Sequence, residues 1–239
     1  MHKIAENVYL EVGSGEPIEG DNLVEFHLLY SGQLHVDGRP TEKHAIRKVF
    51  HSQLRQLWLT NPKLKERTVM RGALARAQEI STNPRYATET PVEFTDDDSF
   101  KLGLQDLGTN WNRNGFNFIP LVTEPLCLRC SLDILFLRRE EKNFIFQGGD
   151  IDGRLKTLFD ALRITDKKDE LPPRAAPAQD EDPFFCLLQD DKLISEVRVV
   201  TAPLLMLPES KEINKSDVYL QIAVKLNPTQ SVHDAWVFD

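Results

Sequence analysis

Two aspartates separated by one residue, Asp150 and Asp152, are followed by Lys156 and then by a further acid, Asp160. A second acidic pair, Asp190 and Asp191, stands just before the apolar run that begins at Leu193. Carboxylates gathered in this way are hard oxygen donors, the ligand type that Mg²⁺ prefers in octahedral geometry. A metal held by them can activate water and offset charge building on a phosphodiester, and a neighbouring lysine can stabilise the same charge. Each residue also has a plain structural use. Asp152 suits the N-terminus of a helix, where a carboxylate caps backbone N–H groups and meets the positive end of the helix dipole. Lys156 and Asp160 are spaced as an ordinary i,i+4 ion pair.

These residues need a helix to align them. At 100° per residue, a helix over about 153–163 puts Asp152, Lys156 and Asp160 on one stripe. Leu155, Leu158, Phe159 and Leu162 form the adjoining apolar stripe that would dock it on a sheet. The preceding segment, LCLRCSLDILFLR, alternates as a half-buried strand. Leu126, Leu128, Cys130, Leu132, Ile134 and Phe136 point one way, and Cys127, Arg129, Ser131 and Asp133 the other. Further strands are expected at 21–30, at FIPLV from Phe118, after 184 and at 217–225, and helices at 41–59 and 62–80. Residues 81–117 read as loops around one short helix, and the Pro- and charge-rich stretch 165–183 as a flexible loop or lid. Together these predict one α+β domain over residues 1–239 with two insertions, at about 60–115 and 165–183.

The order of these features resembles the RusA family of Holliday junction resolvases. In that family D-x-D-N-x-x-K-x-x-x-D-x-L precedes a later Asp-Asp pair and a strand. Here Asp150-Ile-Asp152-Gly-Arg-Leu-Lys156-Thr-Leu-Phe-Asp160-Ala-Leu162 fits the first motif, and Asp190-Asp191 the second. Gly153 departs from it, standing where the family usually has Asn. The resemblance implies a mixed β-sheet flanked by helices and endonuclease activity on branched DNA. It implies Asp150, Asp152 and Asp191 as ligands of Mg²⁺ (or Mn²⁺), Lys156 as the catalytic lysine, and a homodimer. For Asp160 it leaves the role open, a structural one included. A second class of function, a catalytically inactive module of the same fold that binds DNA or a protein, also fits the chain.

Charge sets the remaining expectations. The 239 residues carry 29 Lys+Arg and 37 Asp+Glu, a formal charge of −8, which by itself disfavours coating nucleic acid. The distribution is uneven. Between Lys43 and Arg76 nine basic residues face a single acid, Glu66, while residues 160–196 hold ten acids against five bases. Within the basic stretch Lys43, Arg47, His51 and Arg55 recur every four residues along one side of the first helix. With Lys48, the three cations of that row are the candidate DNA contacts, and a solvated helix face is the competing explanation. His44 and His51 are expected to be partly exposed polar residues. Cys127 and Cys130 lie three apart on a strand, which turns their thiols to opposite faces and excludes a shared metal. No apolar run is long enough to cross a bilayer, no secretory signal is visible at the N-terminus, and three cysteines suit a reducing compartment. A cytoplasmic protein without a membrane partner is the expectation.

Overall fold

A computed structural model describes residues 25–82, 94–138, 151–205 and 216–229. The fold is α+β, with mixed β-sheets flanked by helices. The larger sheet has four strands in the order β1 (Glu25–Gln33), β7 (Asp217–Pro228), β4 (Leu128–Arg138), β6 (Ile194–Pro203). β7 is antiparallel to both of its neighbours, whereas β4 and β6 run parallel. A smaller sheet is ordered β2 (Asn112–Arg113), β3 (Phe116–Val122), β5 (Phe184–Leu188). Here β2 and β3 form a hairpin, and β3 and β5 are parallel. The hairpin turns at Asn114 and Gly115, both at positive φ, as a two-residue turn between twisted strands requires.

The alternation expected in β4 is present: Leu128, Cys130, Leu132, Ile134 and Phe136 are buried, while Arg129 and Asp133 are exposed. β5, FFCLL, is buried at every position, as a strand covered on both faces must be. The first helix, α1 (Pro40–Thr60), lies against β5 and buries Ile46, Phe50, Leu54 and Trp58. Val49, on the same helix, is exposed. α1 also grips the outer edge of the large sheet: the Gln53 amide accepts from Leu29 N at 2.8 Å and donates to Leu29 O at 2.7 Å.

After α1 the chain turns into α2 (Pro62–Thr82), which pairs with α3 (Asp96–Gly108). Two glycines let these helices meet backbone to backbone. A Cβ on Gly72 would lie 1.8 Å from Ser99 O, and one on Gly103 would lie 2.0 Å from Thr68 O. The stretch 81–117, expected to be mostly loop, thus contains the thirteen-residue α3, as well as β2. Thr95 caps α3 by accepting from Asp98 N at 3.2 Å, and Asp96, Asp97 and Asp98 occupy its first turn. What reads in sequence as a polar loop is therefore a helix start: acids there are stabilised by the dipole.

Residues 165–183 form a loop that is held against the body. Two short 3₁₀ turns, Lys168–Glu170 and Gln179–Glu181, fold the segment onto the body, and Leu171 and Glu181 are buried. Arg163 pairs with Glu170 at 3.2 Å, and Lys48 pairs with Glu181 at 2.7 Å. A cis peptide joins Asp182 to Pro183 at the entry to β5.

Candidate functional site

The acid–lysine row lies on α4 (Ile151–Leu162). Leu158 and Leu162 are buried and Leu155 and Phe159 pack against the core, so the expected apolar stripe docks the helix. Thr157 adds a polar lock: its hydroxyl oxygen accepts from Gly38 N at 2.9 Å. A side chain at Gly38 would strike Thr157 Cγ2 at 2.6 Å, so the loop before α1 can seat there only as glycine. With that face committed, the helix turns Asp152 and Lys156 outward, and both are exposed.

Lys156 makes no ion pair with Asp160 or with any other carboxylate among the described residues. Asp160 turns instead toward α1 and the end of its own helix. It accepts from Lys43 Nζ at 2.7 Å and meets the Arg163 guanidinium at 3.3 Å. The i,i+4 alternative for Lys156 and Asp160 is thereby replaced by a pairing across two helices. Asp152 sits inside the first turn of α4 and so is not its N-cap. Asp150, the remaining candidate ligand, lies outside the described residues.

The second acidic pair is brought to α4 by β5. Ile164 N donates to Leu188 O at 2.9 Å and Gln189 N to Val122 O at 2.9 Å, which ties the chain leaving α4 to the end of β5. Asp190 and Asp191 follow at once. Asp190 caps the 3₁₀ turn Asp191–Leu193 by accepting from Lys192 N at 3.0 Å, and Asp191 is exposed. The Asp191 carboxyl is held above its usual range by partial burial and by the hydrogen-bonded Asp190 carboxyl beside it. Asp160 adds to the shift and Arg163 opposes it. Asp191 thus meets the C-terminal end of α4, while Asp152 lies at its start, about 12 Å from Asp160 along the axis at ~1.5 Å per residue. Among the described residues no three metal-ligating side chains form one group.

The candidate DNA contacts are placed differently from one another. Arg47 is only 2% exposed and is corrected to a buried structural residue. Its Nε donates to Arg163 O at 3.2 Å and its Nη2 to Asp160 O at 2.7 Å, so it caps the last carbonyls of α4. Lys43 is spent on Asp160 and Lys48 on Glu181. Arg55 is exposed, as are Lys63 and Lys65 at the start of α2. The row spaced by four on α1 faces into the molecule except at its last member.

His51 is the clearest case of that inward turn. It is buried, not partly exposed, and its ring stands 4.4 Å from that of Phe184. Its Nδ1 accepts from Phe185 N at 2.9 Å, which leaves the proton on Nε2 to be donated to Asp180 O at 3.1 Å. His44 is buried too, edge-on to Phe116 and stacked on Phe184. Burial, helped by Arg47 and Lys48 and opposed by Glu181, holds its pKa down at about 4. Cys127 sits at positive φ just before β4 and Cys130 is buried within it, and burial pushes the Cys130 thiol up to about 12. Both thiols are free.

Spacing did not single out Arg163, whose side chain reaches Asp160, Asp166 and Glu170 and so ties α4 to the start of the 165–183 segment. Comparison with protein-family models, with curated proteins and with solved structures finds no match to this chain. No helix among the described residues is long and apolar enough to cross a membrane.

Proposed function

We propose that the chain is a Mg²⁺-dependent endodeoxyribonuclease that resembles the RusA Holliday junction resolvases and hydrolyses phosphodiesters of branched DNA as a cytoplasmic homodimer. One observation carries this reading. Asp152 and Lys156 stand one turn apart on α4, exposed and without an ion pair among the described residues, on the helix whose other end abuts the Asp190–Asp191 turn. A carboxylate and an ammonium left unpaired one helical turn apart are poised for a ligand, since an i,i+4 neighbour was within reach of Lys156 and was used elsewhere.

The resemblance assigns the metal to Asp150, Asp152 and Asp191, and exposed carboxylate oxygens such as those of Asp152 and Asp191 suit Mg²⁺ or Mn²⁺. These two lie at opposite ends of α4, however, and as they stand do not form one ligand group. When bound, such an ion supplies an activated water and positive charge at the phosphate. Lys156 presents its ammonium beside Asp152, where it can offset charge on the scissile phosphate. Asp160 holds α4 against α1 through Lys43 and stays out of the chemistry. The acidic segment 165–183 is anchored to the body through Arg163, which pairs with Glu170, and Lys48, which pairs with Glu181. Gly153 favours a second reading, an inactive module of the same fold, because it removes the polar side chain usual beside the metal ligands.

The test is cleavage of a four-way junction and of linear duplex with Mg²⁺. The parent should cut the junction in preference, and Asp152→Asn and Lys156→Ala should each lose activity on the order of a hundredfold or more. A parent that cuts no structured DNA would leave only the binding module.

A further inference from the structure

The two outer strands of the large sheet are treated very differently. β1 is covered at one residue, where Gln53 satisfies both backbone groups of Leu29 on the outer edge. β6 has no such cover among the described residues. It runs for ten residues along β4, is exposed at seven of them, and leaves Val197 and Val200 at 40% and 41% exposure. Edges are commonly blunted by charged side chains, lysine above all, by proline, by a bulge or by a covering segment. Of these β6 has the charges Glu196 and Arg198 and a register shift near its start. ISEVRVVTAP has no lysine, and its one proline is the final residue.

The charges on β6 are arranged to receive one particular neighbour. Arg198 already meets Asp133 of β4 at 2.9 Å on the outer face of the sheet. Glu196 lies two residues away, hence on the same face. A second β6 pairing antiparallel about a two-fold axis at Val197 would set Glu196 of each strand opposite Arg198 of the other. The row Asp133, Arg198, Glu196 would then alternate in sign across the boundary, twice, as an isologous contact demands. Shifting the axis to Arg198 would set like charges face to face. Parallel pairing in register would do the same at both positions. Pro203 falls outside the overlap of 194–200, so no needed N–H is missing, and the β4–β6 register shift lies at the overlap's far end.

We infer that the outer edge of β6 is the homodimer interface, pairing two copies antiparallel about Val197 into one continuous eight-stranded sheet. This deepens the homodimer of the nuclease reading by naming its surface, and rests on that reading for nothing else.

The experiment uses the full chain. Sedimentation analysis should find a dimer at micromolar concentration. Val197→Cys in a Cys127→Ser background should form a covalent dimer on mild oxidation, because residues facing each other across the axis bring their Cα atoms within disulfide reach. Val200→Cys should not. Glu196→Arg should raise the dimer dissociation constant at least about tenfold, and Asp133→Arg/Glu196→Arg/Arg198→Glu, which inverts the whole row, should restore it. Circular dichroism checks that each variant folds. A parent that stays monomeric at 100-fold higher concentration, on the order of that used for tight dimers, overturns the inference. So does a dimer that ignores Glu196→Arg and does not cross-link through residue 197. Junction cleavage is scored separately. A Val197-linked dimer that cuts nothing would defeat the nuclease reading and leave this interface standing, while cleavage by a strict monomer would do the reverse.

Discussion

Replacing Asp160 by Asn separates the scaffold of α4 from its chemistry. The Asp160 side chain is 18% exposed and that of Lys43 22%, with 2.7 Å between Nζ and Oδ2. In a medium of effective dielectric near 20 that separation corresponds to about 6 kcal/mol of gross attraction. Desolvation of both partners cancels much of it, and Asn keeps one acceptor for Lys43. A pair this far from solvent lies between the small value of a surface bridge and the several kcal/mol lost when a buried one is broken, so about 2 kcal/mol is expected. For a chain of this length that lowers Tm by roughly 4–8 °C. The assay is urea unfolding of the parent, Asp160→Asn, Lys43→Met and the double variant. The cycle should return a coupling energy of about 1–2 kcal/mol between the two sites. Well below the new Tm, junction cleavage by Asp160→Asn should remain within about tenfold of the parent, against the hundredfold loss expected for Asp152→Asn. Coupling below about 0.5 kcal/mol would refute the pairing. A loss of cleavage as deep as that of Asp152→Asn, in a folded protein, would refute the division of roles and make Asp160 part of the site.

Acid should weaken the fold through His44. Its folded pKa of about 4 lies below the usual 6.5, so its contribution is complete above pH 6.5 and is lost as pH falls toward 4, up to about 2–3 kcal/mol. His44→Phe, which suits the Phe116 and Phe184 cluster, should shrink the fall in urea midpoint between pH 7 and 4.5, with His51 supplying a remainder of the same sign. An unchanged fall would remove His44 from the account. Gly72→Ala should force α2 and α3 apart, at a cost of about 2–4 kcal/mol, because the obstructing atom is backbone and cannot give way. Hydrogen exchange should quicken over residues 62–108 and leave β4 and β7 protected; equal quickening everywhere would contradict a local effect. If DNA binds through the exposed cations, Arg55→Gln with Lys63→Gln should flatten the dependence of binding on salt, while Arg47→Met should leave that slope unchanged and lower stability. A slope that follows Arg47 would reverse the assignment.

The elements that bury one face were legible from spacing, because burial repeats with the period of the backbone. β4 shows its period of two, and α1 and α4 show theirs through Ile46, Phe50, Leu54 and through Leu158 and Leu162. One short helix is expected within 81–117, but α3 cannot be placed there from sequence because its helix start is three acids and its tight face is glycine, neither of which registers as an apolar stripe. Loop composition identifies residues 165–183 as a loop but not how it is held. Prolines and charges say that a segment cannot build its own core, yet Arg163, Lys48 and His51 anchor this one from outside it.

The site was legible in a similar, partial way. The stripe of Asp152, Lys156 and Asp160 follows from helix geometry, but which of its charges are free is decided by α1, a hundred residues earlier in the chain. Lys43 and Arg47 occupy the carboxylate and the carbonyl of Asp160, and that removes Asp160 as a partner for Lys156. The spacing of four between Lys43 and Arg47 identified a common side of α1 without telling whether that side met water or α4. A periodic row of cations carries no sign of its direction. Direction comes from the apolar residues beside it, and on α1 these wrap far enough round, from Ile46 to Trp58, to draw Arg47 and His51 inward with them. Lys48 is exposed but paired with Glu181, so the exposed cations of this stretch with no ion pair among the described residues are Arg55, Lys63 and Lys65, where α1 ends and α2 begins. A surface for phosphate, if this chain has one, is therefore better sought at the α1–α2 junction than along the length of α1.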